Sequence, residues 1–273
     1  MSSTLRVGRI PFLVCAPYFH ASLAGLPGVS FEEGAPSALN PLLASGAIDC
    51  APSSSLEYGL HPDRYLLLPG LCTSGRGEVK SVLLLSREPW ESLGGKPVSL
   101  SPHSATSNAL FQVLSRFHFR VEPECLMAHE NENGSSVAMV AIGDTALRES
   151  HSGRWPYRYD LADVWKSWQN APLPFGLWMV RVDAWESKRD LIVRYYEHLR
   201  TSLSSFFADP EAALAVWSRV YPLPLPWTEA LAFFPAADYE LKPEHERALG
   251  VFFGYCRELG LLSEGPALRY VPV

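Results

Sequence analysis

The residues best suited to chemistry in this sequence are hydroxyls, grouped in short runs beside apolar segments. Ser101-Pro102-His103-Ser104-Ala105-Thr106-Ser107 lies between a strand-like and a helix-like stretch. Hydroxyls at such a junction, with unpaired backbone N–H groups and the positive end of a helix dipole, suit a carboxylate or phosphate. A helix cap needs one hydroxyl, from Ser104 or Thr106, whereas this segment has four Ser/Thr. Cap and ligand site both stay open at this point. Pro52-Ser53-Ser54-Ser55 follows a strand that ends near Ala51, where open α/β sheets place ligands. A plain N-cap at Ser55 is the alternative, since Tyr58 lacks the acid of a capping box. Ser81 closes the run Gly77-Glu78-Val79-Lys80-Ser81 at the start of a strand. It either presents its hydroxyl to a cleft or is an ordinary strand residue. Asp144, in Ile142-Gly143-Asp144 before a helix over Thr145–Glu149, is an N-cap or a ligand contact.

Other chemistries lack their residues. His103 is the one histidine inside a hydroxyl run; His20, His61, His118, His129, His151, His198 and His245 are scattered. No Ser/His/Asp spacing or GxSxG elbow supports a covalent nucleophile. Thr73-Ser74-Gly75-Arg76-Gly77 is a Gly-rich loop without the GxxxxGK[ST] pattern, and neither GxGxxG nor HExxH occurs. No cofactor and no metal are expected. The aromatic-rich stretch Trp165–Trp178 walls a pocket for a planar ligand or fills the core.

The elements that must position these groups follow from periodicity. Strands are expected at Leu5–Ile10, Val29–Glu33, Asp49–Pro52, Tyr65–Pro69, Val79–Ser86, Pro97–Ser101, Cys125–Ala128, Val137–Gly143 and Phe175–Arg181. Helices are expected at Pro17–Ala24, Ala38–Ser45, Thr106–Phe117 and Asp160–Gln169. Ala109, Leu110, Val113, Leu114 and Phe117 mark the buried face of the third. Such alternation predicts parallel sheets with helices on both sides. Beyond about residue 183 the pattern is helical only, over Asp190–Phe207, Pro210–Val220, Pro226–Phe234 and Pro243–Leu261.

The chain has 273 residues, enough for about two domains of ordinary size. Apolar residues make up 47% and charged residues 19%, which excludes intrinsic disorder. The net charge of −6, without a Lys/Arg run, gives no footprint for nucleic acid or an anionic membrane. Five widely spaced cysteines and no CxxC argue against disulfides and structural zinc. The apolar run after Arg9 imitates a signal peptide, but Pro11 and Pro17 interrupt it. Val14 stands where a lipoprotein signal needs a small residue. A cytoplasmic location is expected.

In order, these segments resemble the chorismate dehydratases of the futalosine route to menaquinone. The matching pieces are Arg9-Ile10-Pro11-Phe12-Leu13, Asp49 through Tyr58, Gly77-Glu78-Val79-Lys80-Ser81-Val82 and Ser104-Ala105-Thr106-Ser107. Ile142 through Leu147, Asp160-Leu161 with Trp165 and Trp168, and Leu173-Pro174-Phe175-Gly176-Leu177-Trp178 complete the set, over about residues 5–181. The resemblance implies a two-lobed α/β fold of the type II periplasmic-binding-protein kind, with a C-terminal helical layer on the first lobe. It implies one lobe of residues 1–82 plus 176–273, a second of 83–175, and crossings near Val82–Ser86 and Pro174–Leu177. A small dianionic substrate would lie between them, on Ser53, Ser54, Ser104, Ala105, Thr106, Ser107, Asp144, Phe175, Trp178 and Val14, with Ser81 catalytic. The family's opening motif reads Tyr-Leu-Asn before Pro; here Phe12-Leu13-Val14 replaces it, so an aliphatic side chain stands for an amide. The implied reaction is loss of water from chorismate. The alternatives are a non-catalytic carboxylate-binding protein and the related dihydroxynaphthoate synthase.

Overall fold

The computed structural model describes residues 4–127 and 136–273. The last residue of the expected strand Cys125–Ala128, and His129, lie outside the described residues. Among the described residues eleven strands are formed: β1 (Leu5–Arg9), β2 (Val29–Glu33), β3 (Cys50–Ser54), β4 (Tyr65–Gly75), β5 (Val82–Ser86), β6 (Pro97–Leu100), β7 (Glu124–Met127), β8 (Ala138–Ile142), β9 (Tyr157–Asp160), β10 (Pro174–Arg181) and β11 (Ala237–Asp238). They build two sheets. One runs β11-β4-β10-β3-β1-β2 and the other β7-β6-β8-β5-β9. Each sheet with its helices is one lobe, and segments 76–81 and 170–173 link them.

Neither sheet is purely parallel, contrary to the alternation rule. β10 pairs antiparallel with both β3 and β4, and β5 with both β8 and β9. The reason is topological: these are the strands by which the chain enters a sheet after leaving the other lobe, from its opposite end. β9 is an expectation missed, a short Tyr-Arg-Tyr-Asp edge strand whose first two residues are exposed and whose last, Asp160, is buried. Thr73, Ser74 and Gly75 belong to β4, so the Gly-rich loop shrinks to a turn after it.

Central strand β3 is buried along its whole length, as a strand covered on both faces must be. The helix expected at Asp190–Phe207 extends over Val182–Ala208, with a break at Lys188. There the ammonium leaves the helix line to reach Asp49, 2.7 Å away. Asp49 also takes the Arg6 guanidinium at 2.6 Å, tying β1, the start of β3 and this helix together.

One apolar core runs through both lobes, from Leu177 and Met179 to Phe111 and Trp90. Helix Leu161–Gln169 of the second lobe lies on helix Pro243–Glu258 of the first, with Trp168 stacked on Tyr255 at 5.1 Å and Trp165 edge-on to Phe252. The lobes are thus packed together beside the linkers. No helix among the described residues is long and apolar enough to cross a membrane.

Candidate functional site

Three helices begin where the two sheets face each other. Helix Ser55–Leu60 continues directly from β3, capped by Ser54, whose hydroxyl accepts from the Glu57 N–H at 3.4 Å. Helix Ala105–Val113 is capped by Ser104, which accepts from the Ser107 N–H at 3.2 Å. Helix Gly143–Ser150 follows β8. Ser54, Ser104 and Gly143 all line one small cavity, so three positive dipole ends from both lobes converge there. The expected cap at Ser55 is therefore one residue late; Ser55 donates instead to the Pro174 carbonyl, 2.7 Å away.

The cavity has a volume of about 90 Å³. Its walls hold Ser53, Ser54, Thr73, Ser74, Ser81, Ser104 and Ser107 among apolar groups that include Phe12, Val14 and Phe175. Among the described residues no Asp, Glu, His, Lys or Arg side chain lines it. Cys15 is its one titratable wall residue, and burial, with Asp144 nearby, pushes that thiol up and keeps it protonated. The cavity's polar lining is hydroxyls, since the N–H groups of Leu56, Glu57, Ser107 and Gly143 at the three helix starts are already bonded within the protein.

Of the expected contacts, Val14, Ser53, Ser54, Ser81, Ser104, Ser107 and Phe175 come together in this cavity. Four others lie elsewhere. Thr106 is fully buried, and its hydroxyl accepts from the Leu56 N–H of the facing lobe at 3.0 Å. Asp144 is neither cap nor wall. It accepts from the Leu13 N–H at 2.9 Å, and burial holds its carboxyl above the usual range despite that bond. Ala105 faces a neighbouring groove with Asn40, Glu57 and Asn108. Trp178 is core, its ring 5.3 Å from Tyr18 and 5.9 Å from Tyr195.

The Thr106 and Asp144 bonds both join one lobe to the other, each worth about 1–2 kcal/mol. Gly143 adds a third close approach. Its φ of +55° is a left-handed value, and an added Cβ would sit 2.8 Å from the Phe12 ring. Only glycine meets both conditions. These contacts hold the cleft shut. A 90 Å³ space falls below the roughly 300 Å³ of small-molecule pockets.

Sequence reasoning missed Thr73 and Ser74 by reading them as loop. Their signal was position, at the end of a strand that feeds the linker to the second lobe. A larger open groove of about 700 Å³, with Arg76 and Arg200 on its rim, shares Ala237 with the cavity.

The chain matches the family described as menaquinone biosynthesis over residues 5–258, and it belongs to that family. Among solved structures it resembles protein AF1704 from Archaeoglobus fulgidus, at 20% identity and a TM-score of 0.73, over 95% of this chain and 98% of that one. The alkanesulfonate-binding protein SsuA from Xanthomonas axonopodis pv. citri, bound to MOPS, is 15% identical with a TM-score of 0.70, over 96% and 95% of the two chains. The periplasmic aliphatic sulphonate binding protein SsuA from Escherichia coli is also 15% identical, at 0.66 over 96% and 94%. These likenesses concern the fold.

Proposed function

Starting from membership of the menaquinone-biosynthesis family, we propose that this protein is a cofactor-independent lyase that dehydrates chorismate to 3-[(1-carboxyvinyl)oxy]benzoate. The proton on ring C3 and the hydroxyl on C4 leave as water, the C3–C4 double bond forms, and the ring becomes aromatic. Aromatisation supplies the driving force, so the protein has to hold a dianion and assist the movement of one proton. A cavity edged by hydroxyls and three helix N-termini suits two carboxylates.

The hydroxyl lining of the cavity carries the reading, and among the described residues the wall offers no side chain ready to act as general base. The substrate's side-chain carboxylate therefore takes the C3 proton and passes it to the departing hydroxide. Ser81 orients that carboxylate. Its hydroxyl is free of protein partners among the described residues, unlike those of Ser53 and Ser74.

The test is to mix the protein with chorismate and follow the ultraviolet absorbance of an aromatic product. Product in proportion to enzyme supports the reading. The wall's lack of a base and the aliphatic Val14 within it favour a second reading, a carboxylate-binding protein without turnover. Thermal stabilisation by chorismate with no product would select that one.

A further inference from the structure

We propose that Asp160 is a positioning residue that sets Ser81 in the cavity wall, an inference that rests on the role of Ser81 given above. Asp160 is the last residue of β9 and is buried. One carboxylate oxygen caps helix Leu161–Gln169, accepting from the Ala162 N–H at 3.0 Å and the Asp163 N–H at 3.2 Å. A cap needs no more than that. The second oxygen turns to the linker between the lobes and accepts from the Val79 N–H at 2.8 Å and the Lys80 N–H at 2.6 Å.

Lys80 is the residue that needs holding. Its φ is +58°, a left-handed value that a lysine adopts only under constraint. The next residue is Ser81, whose carbonyl accepts from the Gly143 N–H at 2.8 Å before β5 begins its pairing with β8. Ser81 is thus clamped from two sides. Asp160 fixes the backbone that leads into it, and Gly143, at a helix start facing the same cavity, fixes its carbonyl. Without the Asp160 clamp, Lys80 relaxes toward an extended conformation and swings Ser81 out of the wall.

Asp160→Ser separates the two duties, because serine still caps a helix but is too short and has too few oxygens to hold the linker as well. The expected result is a fall in kcat of about 10- to 100-fold with KM within about twofold, the signature of a misplaced orienting group. Adding Lys80→Gly recovers part of the loss, since glycine takes the left-handed value without constraint. Unchanged kcat per folded molecule, with only a lower melting temperature, overturns the proposal. Should the wild-type protein give no product from chorismate, the lyase reading fails. The crystal structure of the variant then decides the positioning claim: Ser81 displaced from the cavity wall supports it, and Ser81 in place overturns it. Asp160→Asn, which keeps the side chain's size, takes the same tests if the serine variant does not fold.

Discussion

The two walls of the cavity differ in how much of their bonding is finished before a ligand arrives. On the first lobe, Ser53 donates to the Asn40 side chain and Ser74 to the Leu173 carbonyl at 2.8 Å. Ser55, just behind, donates to Pro174. Thr73 is the exception there, without a side-chain partner among the described residues. On the linker and second lobe, Ser81 has no protein partner among the described residues, and Ser104 and Ser107 share a bond of 3.0 Å beside a helix start. Hydroxyl bonds of the first wall reach other segments, whereas Ser104 and Ser107 bond only at their own helix start and Ser81 has no protein partner among the described residues.

That contrast is sharpened first at Ser81. Ser81→Ala is expected to lower kcat about 100-fold or more, near the effect of losing one donor aimed at developing charge, with the melting temperature unchanged. Steady-state assays with chorismate check it, and a variant with full turnover breaks the contrast outright. Gly143→Ala should come next. A Cβ there meets the Phe12 ring at 2.8 Å and sits on a left-handed backbone. A destabilisation of about 2–3 kcal/mol is expected, together with weaker ligand binding because the lobes no longer close; thermal unfolding and KM report the two effects.

Charge lies away from both walls, and its effect on stability is smaller. Asp49 loses solvation on burial, but Arg6 and Lys188 outweigh that and hold its carboxyl below the usual range. A carboxyl depressed on folding contributes stability above its unfolded pKa, near 3.8, and the contribution is lost as pH falls below that value. Asp49→Asn should therefore cost about 1–2 kcal/mol at neutral pH and flatten the acid limb of a stability-against-pH curve. Ser74→Ala is the smallest. It removes one bond to Leu173, costs about 1 kcal/mol, and leaves turnover within about twofold. A large loss of kcat here would mean the first wall binds as well as shapes.

Local pattern revealed much of the placement. The strand-end position of Ser53 and Ser54 and the helix-start position of Ser104 and Ser107 were legible, because each depends on neighbours within a few residues. Thr106 and Asp144 were not, because their partners, Leu56 and Leu13, lie 50 and 131 residues away. Neighbouring residues cannot show that a hydroxyl is spent on another lobe. Trp178 went astray for a related reason: an aromatic in a strand looks alike whether its face meets a cleft or the ring of Tyr18. Strand direction was misjudged where the chain changes lobes, at β5 and β10, since alternation of strand and helix carries no record of the end from which a strand enters its sheet.

The most direct measurement is a crystal structure of the protein with 3-[(1-carboxyvinyl)oxy]benzoate, the product that aromatisation would leave. The account predicts one carboxylate at the start of helix Ala105–Val113, beside Ser104 and Ser107, and the other within hydrogen-bonding distance of Ser81. Density in the open groove beside Arg76 and Arg200, with the space between the lobes still about 90 Å³, would contradict it.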